Sequence, residues 1–415
     1  MLAQRPPARI ATMADLLTLT PPMPGAAQLQ CETDTGIATI PLADEVSFGS
    51  WQRGIPEAYW SLDAEELTAR IGAARKTLGT RAVILGHHYQ REDIIEFADE
   101  RGDSFALAQY AAERPEAEYI VFCGVHFMAE AADILCAPHQ QVILPNLEAG
   151  CSMSDMASVP DVLQAWRELG EHFGTTDDII PVTYMNSAAA LKAFCGEHGG
   201  VVCTSSNAGK VLDWAFERGK RVFFFPDQHL GRNTGHAMGI GLDEMVLWDW
   251  RRPAGSLGGA KPEALDRSRI ILWQGHCSVH QRFSVTQIEA ARQRYPGAKI
   301  VVHPECRHDV VQAADANGST AYIAKYVAEA PAGAIIGIGT EINLVSRLAK
   351  EHPDKTVFCL DPVVCPCSTM YRVHPAYLAW VLESLVRGEV VNRIEVPAET
   401  KRHARVALER MLALK

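Results

Sequence analysis

The sequence predicts an α/β protein with parallel sheets, and three observations predict it. Brief β-branched runs recur along the chain, each ending in small and polar residues and followed by a stretch of helical spacing, the pattern of crossover units. The runs form three groups whose first strands lie about 90–100 residues apart, a repeat weak in identity and clear in order. Nearly every His, Cys, Asn and Ser able to do chemistry stands just after such a run, where open parallel sheets place their ligands.

Taken in order, residues 1–60 are rich in Pro, Ala and Thr, with PPMPG at 21–25, and read as an N-terminal extension. Ala64–Leu78 has helical spacing. The first group then holds Ala82–Leu85 ending in GHHYQ, Tyr119–Phe122 ending in CGVHFMAE, and Gln141–Leu144 ending in PNLEAGC. In the second are Ile179–Val182 ending in TYMNS, Val201–Val202 ending in CTSSNAGK, and Arg221–Phe225 ending in PDQHLGRNTG. The third has Ile270–Trp273 ending in QGHCSVH, Lys299–Val302 ending in HPEC, Ala334–Ile338 ending in GTEIN, and Thr356–Leu360 ending in DPVVCPC. The Gly- and Pro-containing stretch Arg251–Ala264 reads as a linker. The expected domains are 61–165, 166–260 and 261–375, after the extension at 1–60 and before a C-terminal helical segment at 376–415.

Bulk properties narrow the function. A chain of 415 residues has room for two or three domains of about 100–200 residues each, and its 47% hydrophobic content is that of a globular protein with a sizeable core. A net charge of −11 argues against nucleic acid or an anionic membrane as partner, since both require a basic face. Nothing resembles a membrane span of roughly 20 apolar residues, and the start lacks the apolar core of a secretory signal. Eleven dispersed cysteines do not make a disulfide scaffold; a reducing cytoplasm, with some cysteines as ligands, fits better.

Three chemistries compete for those cysteines. Cys277-x-x-His280 and His303-x-x-Cys306 form a Cys2His2 set that zinc takes readily, although this leaves Cys151 and the Cys365-Pro-Cys367 turn unexplained. A cysteine nucleophile needs a thiolate and a base, which spacing alone does not single out. Cys136, Cys195, Cys203 and Cys359 read as packing residues, as free cysteine usually is. The third option takes one thiol per group: Cys151 in EAGCSMSD, Cys277 in QGHCSVH, and Cys365 or Cys367 in VVCPCSTMYR. Three thiolates from three segments suit a cubane iron–sulfur cluster with one open iron, able to act as a Lewis acid.

Set beside GHHYQ, GDS, TYMNS, CTSSNA and HPEC, those cysteines make the chain resemble the quinolinate synthase family from about Arg81 to the end. The resemblance implies three pseudo-symmetric three-layer αβα domains around a central active site with a 4Fe–4S cluster. It implies condensation of iminoaspartate (iminosuccinate) with dihydroxyacetone phosphate to give quinolinate for NAD synthesis. The partners implied are these small molecules, with a functional link to an aspartate-oxidising enzyme. Residue by residue, His87 and Ser104 match positions that hold the iminoaspartate carboxylates, and Tyr89 matches a tyrosine of the condensation and ring-closing steps. Tyr184, Asn186 and Ser205 match substrate contacts; Ser205 also reads as a helix cap. His303 and Glu305 match a pair that binds substrate and moves protons, with Glu305 the general acid/base. Thr320 matches a further carboxylate contact, Ser319 and Gly318 the phosphate end, and His280 a histidine near the substrate. His88 and Cys123 match no functional position. The ligands implied are Cys151, Cys277 and a third from the last turn. Continuity through CPxxxM favours Cys365, overall spacing favours Cys367, and Cys367 is taken with Cys365 as alternative.

Overall fold

The computed structural model describes residues 54–361 and 366–414. Of the expected extension only 54–60 is described; there Tyr59 is buried and donates to Glu383 Oε2 at 2.6 Å, which ties the segment to the helix Pro375–Val386. Cys365 lies outside the described residues.

Three sheets flanked by helices form the core. The first contains β1 (Ala82–His87), β2 (Glu100–Gly102), β3 (Tyr119–Cys123) and β4 (Gln141–Ile143). The second contains β5 (Ile179–Tyr184), β6 (Val201–Cys203), β7 (Arg221–Phe225), β8 (Met245–Trp248) and β9 (Ile270–Trp273). β10 (Lys299–Val302), β11 (Ala316–Asn317), β12 (Ile335–Gly339) and β13 (Thr356–Cys359) make the third, and β14 (Arg393–Ile394) returns to the first. The strand orders are β14-β4-β3-β1-β2, β6-β5-β7-β9-β8 and β11-β10-β12-β13. Every pairing is parallel except β14 with β4. The α/β reading with three parallel-sheet layers is thus what the chain adopts.

The sequence forms these strands for a plain reason. β1, β3 and β5 are buried at every residue, so helices cover both faces and the strands read as continuous apolar runs with no alternation. Helices begin at caps: Asp63 accepts from Glu66 N–H at 2.8 Å, Asp103 from Ala106 N–H at 2.8 Å, and Ser284 and Gln287 form a reciprocal capping box.

One grouping is corrected. Ile270–Trp273, placed by sequence with the third set, pairs with β7 and β8 in the second sheet. The stretch Arg251–Ala264 therefore connects two strands of one sheet. It is packed rather than free: Leu257 N–H donates to Glu168 Oε2 at 2.9 Å and Asp249 N–H to Gly258 O at 3.0 Å. Strands β2, β8, β11 and β14 lay outside the sequence reading.

The C-terminal segment works as a strap. β14 pairs antiparallel on the β4 edge of the first sheet, and the helix Ala398–Leu412 then packs on the helix Ala189–Glu197 of the second layer. A Cβ on Gly196 would stand 1.9 Å from His403 O, so the two helices touch backbone to backbone. Arg410 donates to Gly196 O and Gly200 O at 3.4 and 2.6 Å.

Candidate active site

Parallel packing brings the carboxyl ends of the strands together, and the expected residues stand there. His87 closes β1 and Tyr89 follows it; Tyr184 closes β5; Cys151 and Cys277 follow β4 and β9; His303 and Glu305 follow β10. Glu305 is the hub. Its Oε1 accepts from the Tyr184 hydroxyl at 2.7 Å, and its Oε2 lies 2.8 Å from His280 Nδ1. His280 Nε2 reaches the Thr340 hydroxyl at 3.0 Å, and that hydroxyl meets the Tyr89 hydroxyl at 2.8 Å. The His303 ring stacks on the His280 ring at 4.5 Å. A single hydrogen-bonded chain, Tyr89–Thr340–His280–Glu305–Tyr184, thus takes members from all three layers.

Electrostatics give the chain a direction. Burial works against an ionised Glu305, but His303, His280 and the Tyr184 hydroxyl outweigh it and hold the carboxyl below its ordinary value. At neutral pH Glu305 is therefore a carboxylate, an acceptor only. His280 Nδ1 then donates to that carboxylate, Nε2 faces the Thr340 hydroxyl, and the Tyr89 hydroxyl meets Thr340 in turn. Burial, with Glu305 adding, holds the Tyr89 and Tyr184 phenols well above their usual range, so both stay neutral donors. Burial also pushes His303 down to about 3 and His87 well below its ordinary value.

Cys151, Cys277 and Cys367 sit beside this hub. Each is half-buried. Each thiol is raised, chiefly by burial; Cys277 is raised further by Glu305, Cys367 and Cys151, and Cys151 by Cys367 and Glu305. Backbone N–H groups work the other way: Ser154 on Cys151, His280 on Cys277, Met370 and Thr369 on Cys367. Three thiols that oppose one another's ionisation, each met by amide donors, form a donor set suited to a positively charged, sulfur-ligated centre.

The zinc grouping does not assemble as spaced in sequence. Cys306 is buried and its thiol faces Gly339 O at 3.6 Å. Among the described residues, the donor atoms that gather within 4.8 Å are those of Cys277, His280 and Glu305.

Residues 69–413 match the family model described as quinolinate synthetase A protein. A quinolinate synthase of Corynebacterium glutamicum is 59% identical over 363 residues, covering 88% of this chain and 91% of that protein. One from Geobacillus thermodenitrificans is 55% identical over 360 residues, covering 87% and 96%. Another, from Streptomyces coelicolor, is 54% identical over 352 residues, covering 84% and 88%. The chain belongs to the quinolinate synthase family.

Within this quinolinate synthase fold the remaining expected residues line the same rim. Ser104, Asn186 and Thr320 follow β2, β5 and β11, with Ser104 and Thr320 buried and Asn186 half-buried. Ser205 acts on the Tyr184 phenol against the effect of burial and does not cap the helix Ala208–Phe216, whose N-cap is Asn207. Ser319 does cap the helix Thr320–Glu329, accepting from Tyr322 N–H at 3.3 Å. Sequence reasoning missed Thr340 and Glu341, the latter accepting from Cys367 N–H at 3.2 Å. Their signal was present: GTEIN follows a buried strand, as GHHYQ and HPEC do. No described helix is long and apolar enough to cross a membrane.

Proposed function

We propose that the chain condenses iminoaspartate with dihydroxyacetone phosphate to quinolinate, releasing phosphate and water, as a cytoplasmic transferase of NAD biosynthesis. Family membership supports the product. The observation that carries the chemistry is the Glu305 carboxylate, held between Tyr184 and His280 and coupled to the Cys277 and Cys151 thiols.

Cys151, Cys277 and Cys367 would hold the 4Fe–4S cluster. When bound, such a cluster supplies an open iron that polarises a hydroxyl or carboxylate oxygen. The protein's own residues do the proton work. Glu305, ionised and aimed by two hydrogen bonds, takes a proton from carbon next to the carbonyl or imine. Once Tyr89 has given its phenol proton to a leaving hydroxyl, the Glu305 proton restores it through His280 and Thr340, the hydrogen bonds of that chain reversing as it passes. Tyr184 holds Glu305 by its hydroxyl, and Ser205 joins the residues that meet substrate. His87, Ser104, Asn186, His303 and Thr320 bind and orient the carboxylates; a neutral His303 donates without adding charge. An aspartate-oxidising enzyme is the kind of partner that would supply the imine.

The test is anaerobic purification with iron, sulfide and zinc analysis, followed by assay of quinolinate formation from the two substrates. About four iron and four sulfide per chain, with turnover, is the expected result. The gathering of Cys277, His280 and Glu305 favours a second reading, a hydrolase with a single zinc. Zinc in place of iron, with no quinolinate formed, would select that reading.

A further inference from the structure

The helix Gln228–Ala237 packs on the second sheet with one face and meets the Glu305 loop with the other. Asp227 caps it, accepting from Leu230 N–H at 2.6 Å. Gly231 and Gly235, four apart, lie against the sheet: a Cβ on Gly231 would come 2.6 Å from Leu272 Cδ2, and one on Gly235 2.5 Å from Ile270 Cδ1. Asn233 is rotated about 200° from Gly231 along the helix and so points to the neighbouring layer.

There it meets the backbone on both sides of the catalytic carboxylate. Asn233 Nδ2 donates to Pro304 O and to Cys306 O, each at 2.9 Å. With both amide hydrogens used, Asn233 Oδ1 can only accept, so the proton on His308 lies at Nδ1, 2.9 Å away. The His308 ring is itself held edge-on by His236 of the same helix, with ring centroids 4.7 Å apart. Asn233 is buried, so neither carbonyl would find ready water if the amide were removed.

We propose that Asn233, oriented by His308, is a positioning residue for the reaction. It fixes the carbonyls before and after Glu305, so that the carboxylate stays on the line between Tyr184 and His280. The inference rests on the proposed role of Glu305. It places part of the reaction's precision on a helix that contributes no group to the substrate.

The test uses cluster-loaded enzyme and the quinolinate assay, with Glu305→Gln as control. Asn233→Ala, and the isosteric Asn233→Asp, which loses both donors, should each lower kcat about 10- to 100-fold, as a misplacement near 1 Å does. KM for iminoaspartate should stay within about threefold and the cluster absorbance should be unchanged. His308→Leu should show a smaller loss of the same kind, and His308→Gln, which keeps an N–H toward Asn233, should recover most of it. Folded, cluster-loaded Asn233→Ala with wild-type kcat overturns the proposal, as does a loss confined to KM. If Asn233→Ala does not fold, the His308 pair decides: equal activity of His308→Leu and His308→Gln overturns it. Should Glu305→Gln itself stay active, the role of Glu305 falls first; should it be inactive while the Asn233 variants are normal, the positioning proposal alone falls.

Discussion

Thr340 bears no charge and lies in no motif that the sequence made prominent, yet it joins Tyr89 to His280. Thr340→Val keeps the shape and leaves the Tyr89 hydroxyl and His280 Nε2 without that partner, so kcat should fall about 10-fold or more, with a changed solvent isotope effect and a stability loss of about 1–3 kcal/mol. Glu305→Gln keeps the hydrogen-bonding outline and removes the base; turnover should drop by 10²–10⁴-fold while the iron content stays whole. The pH dependence has a definite sign. Glu305 is held below the usual carboxylate value, so its basic form persists through that range and its titration should not set an acid limb near neutrality. At this scale the sequence was informative about residues of unusual chemistry (His87, Tyr89, Cys277, Glu305) because they stand after apolar strands. It assigned no role to Thr340 or Asn233, whose importance lies in what they face across a layer boundary. A threonine or an asparagine has no spacing rule that announces such a partner.

Elements were legible wherever local pattern decides them. The long apolar strands and the helix Ala64–Leu78 were found within a residue or two, the strands because burial on both faces imposes continuous hydrophobicity. β2, of sequence Glu100-Arg101-Gly102, has no apolar run to find, and β11 and β14 are two residues each. The sheet to which β9 belongs is a matter of long-range pairing, and a Gly- and Pro-containing stretch looks alike whether it links layers or strands of one layer. The contact of the helix Ala398–Leu412 with the helix Ala189–Glu197 gives an element-scale prediction. Gly196→Ala would press a methyl into His403 O, forcing the strap outward at a cost of about 1–3 kcal/mol, read as a lower urea midpoint with unchanged slope.

At the scale of the whole molecule, the third layer is tied to the first by Arg347, which donates to His88 O and Gln90 O at 3.0 Å each. Arg347→Met would leave both carbonyls without that donor and should destabilise by about 3 kcal/mol in denaturant unfolding. Acid should also loosen the cluster-free protein. Burial lowers His87 well below its usual value, His88 and His229 to about 4 and His303 to about 3. Below about pH 6.5 the unfolded chain therefore binds protons that the folded chain refuses. Burial raises Glu341 to about 7 and Asp227 well above normal, which acts in the opposite sense. The lowered histidines outnumber the two raised carboxyls, so the folded state should lose stability as pH falls from about 6.5 to 4.5, checked by urea midpoints at pH 7 and pH 5. The return of β14 to β4 has a further consequence, for synthesis. A ribosome finishes the opening layer last: until residues 393–394 emerge, β4 offers bare amides and carbonyls to any passing strand. A chain that stopped short of Arg393 would thus leave the outer strand of its opening sheet sticky.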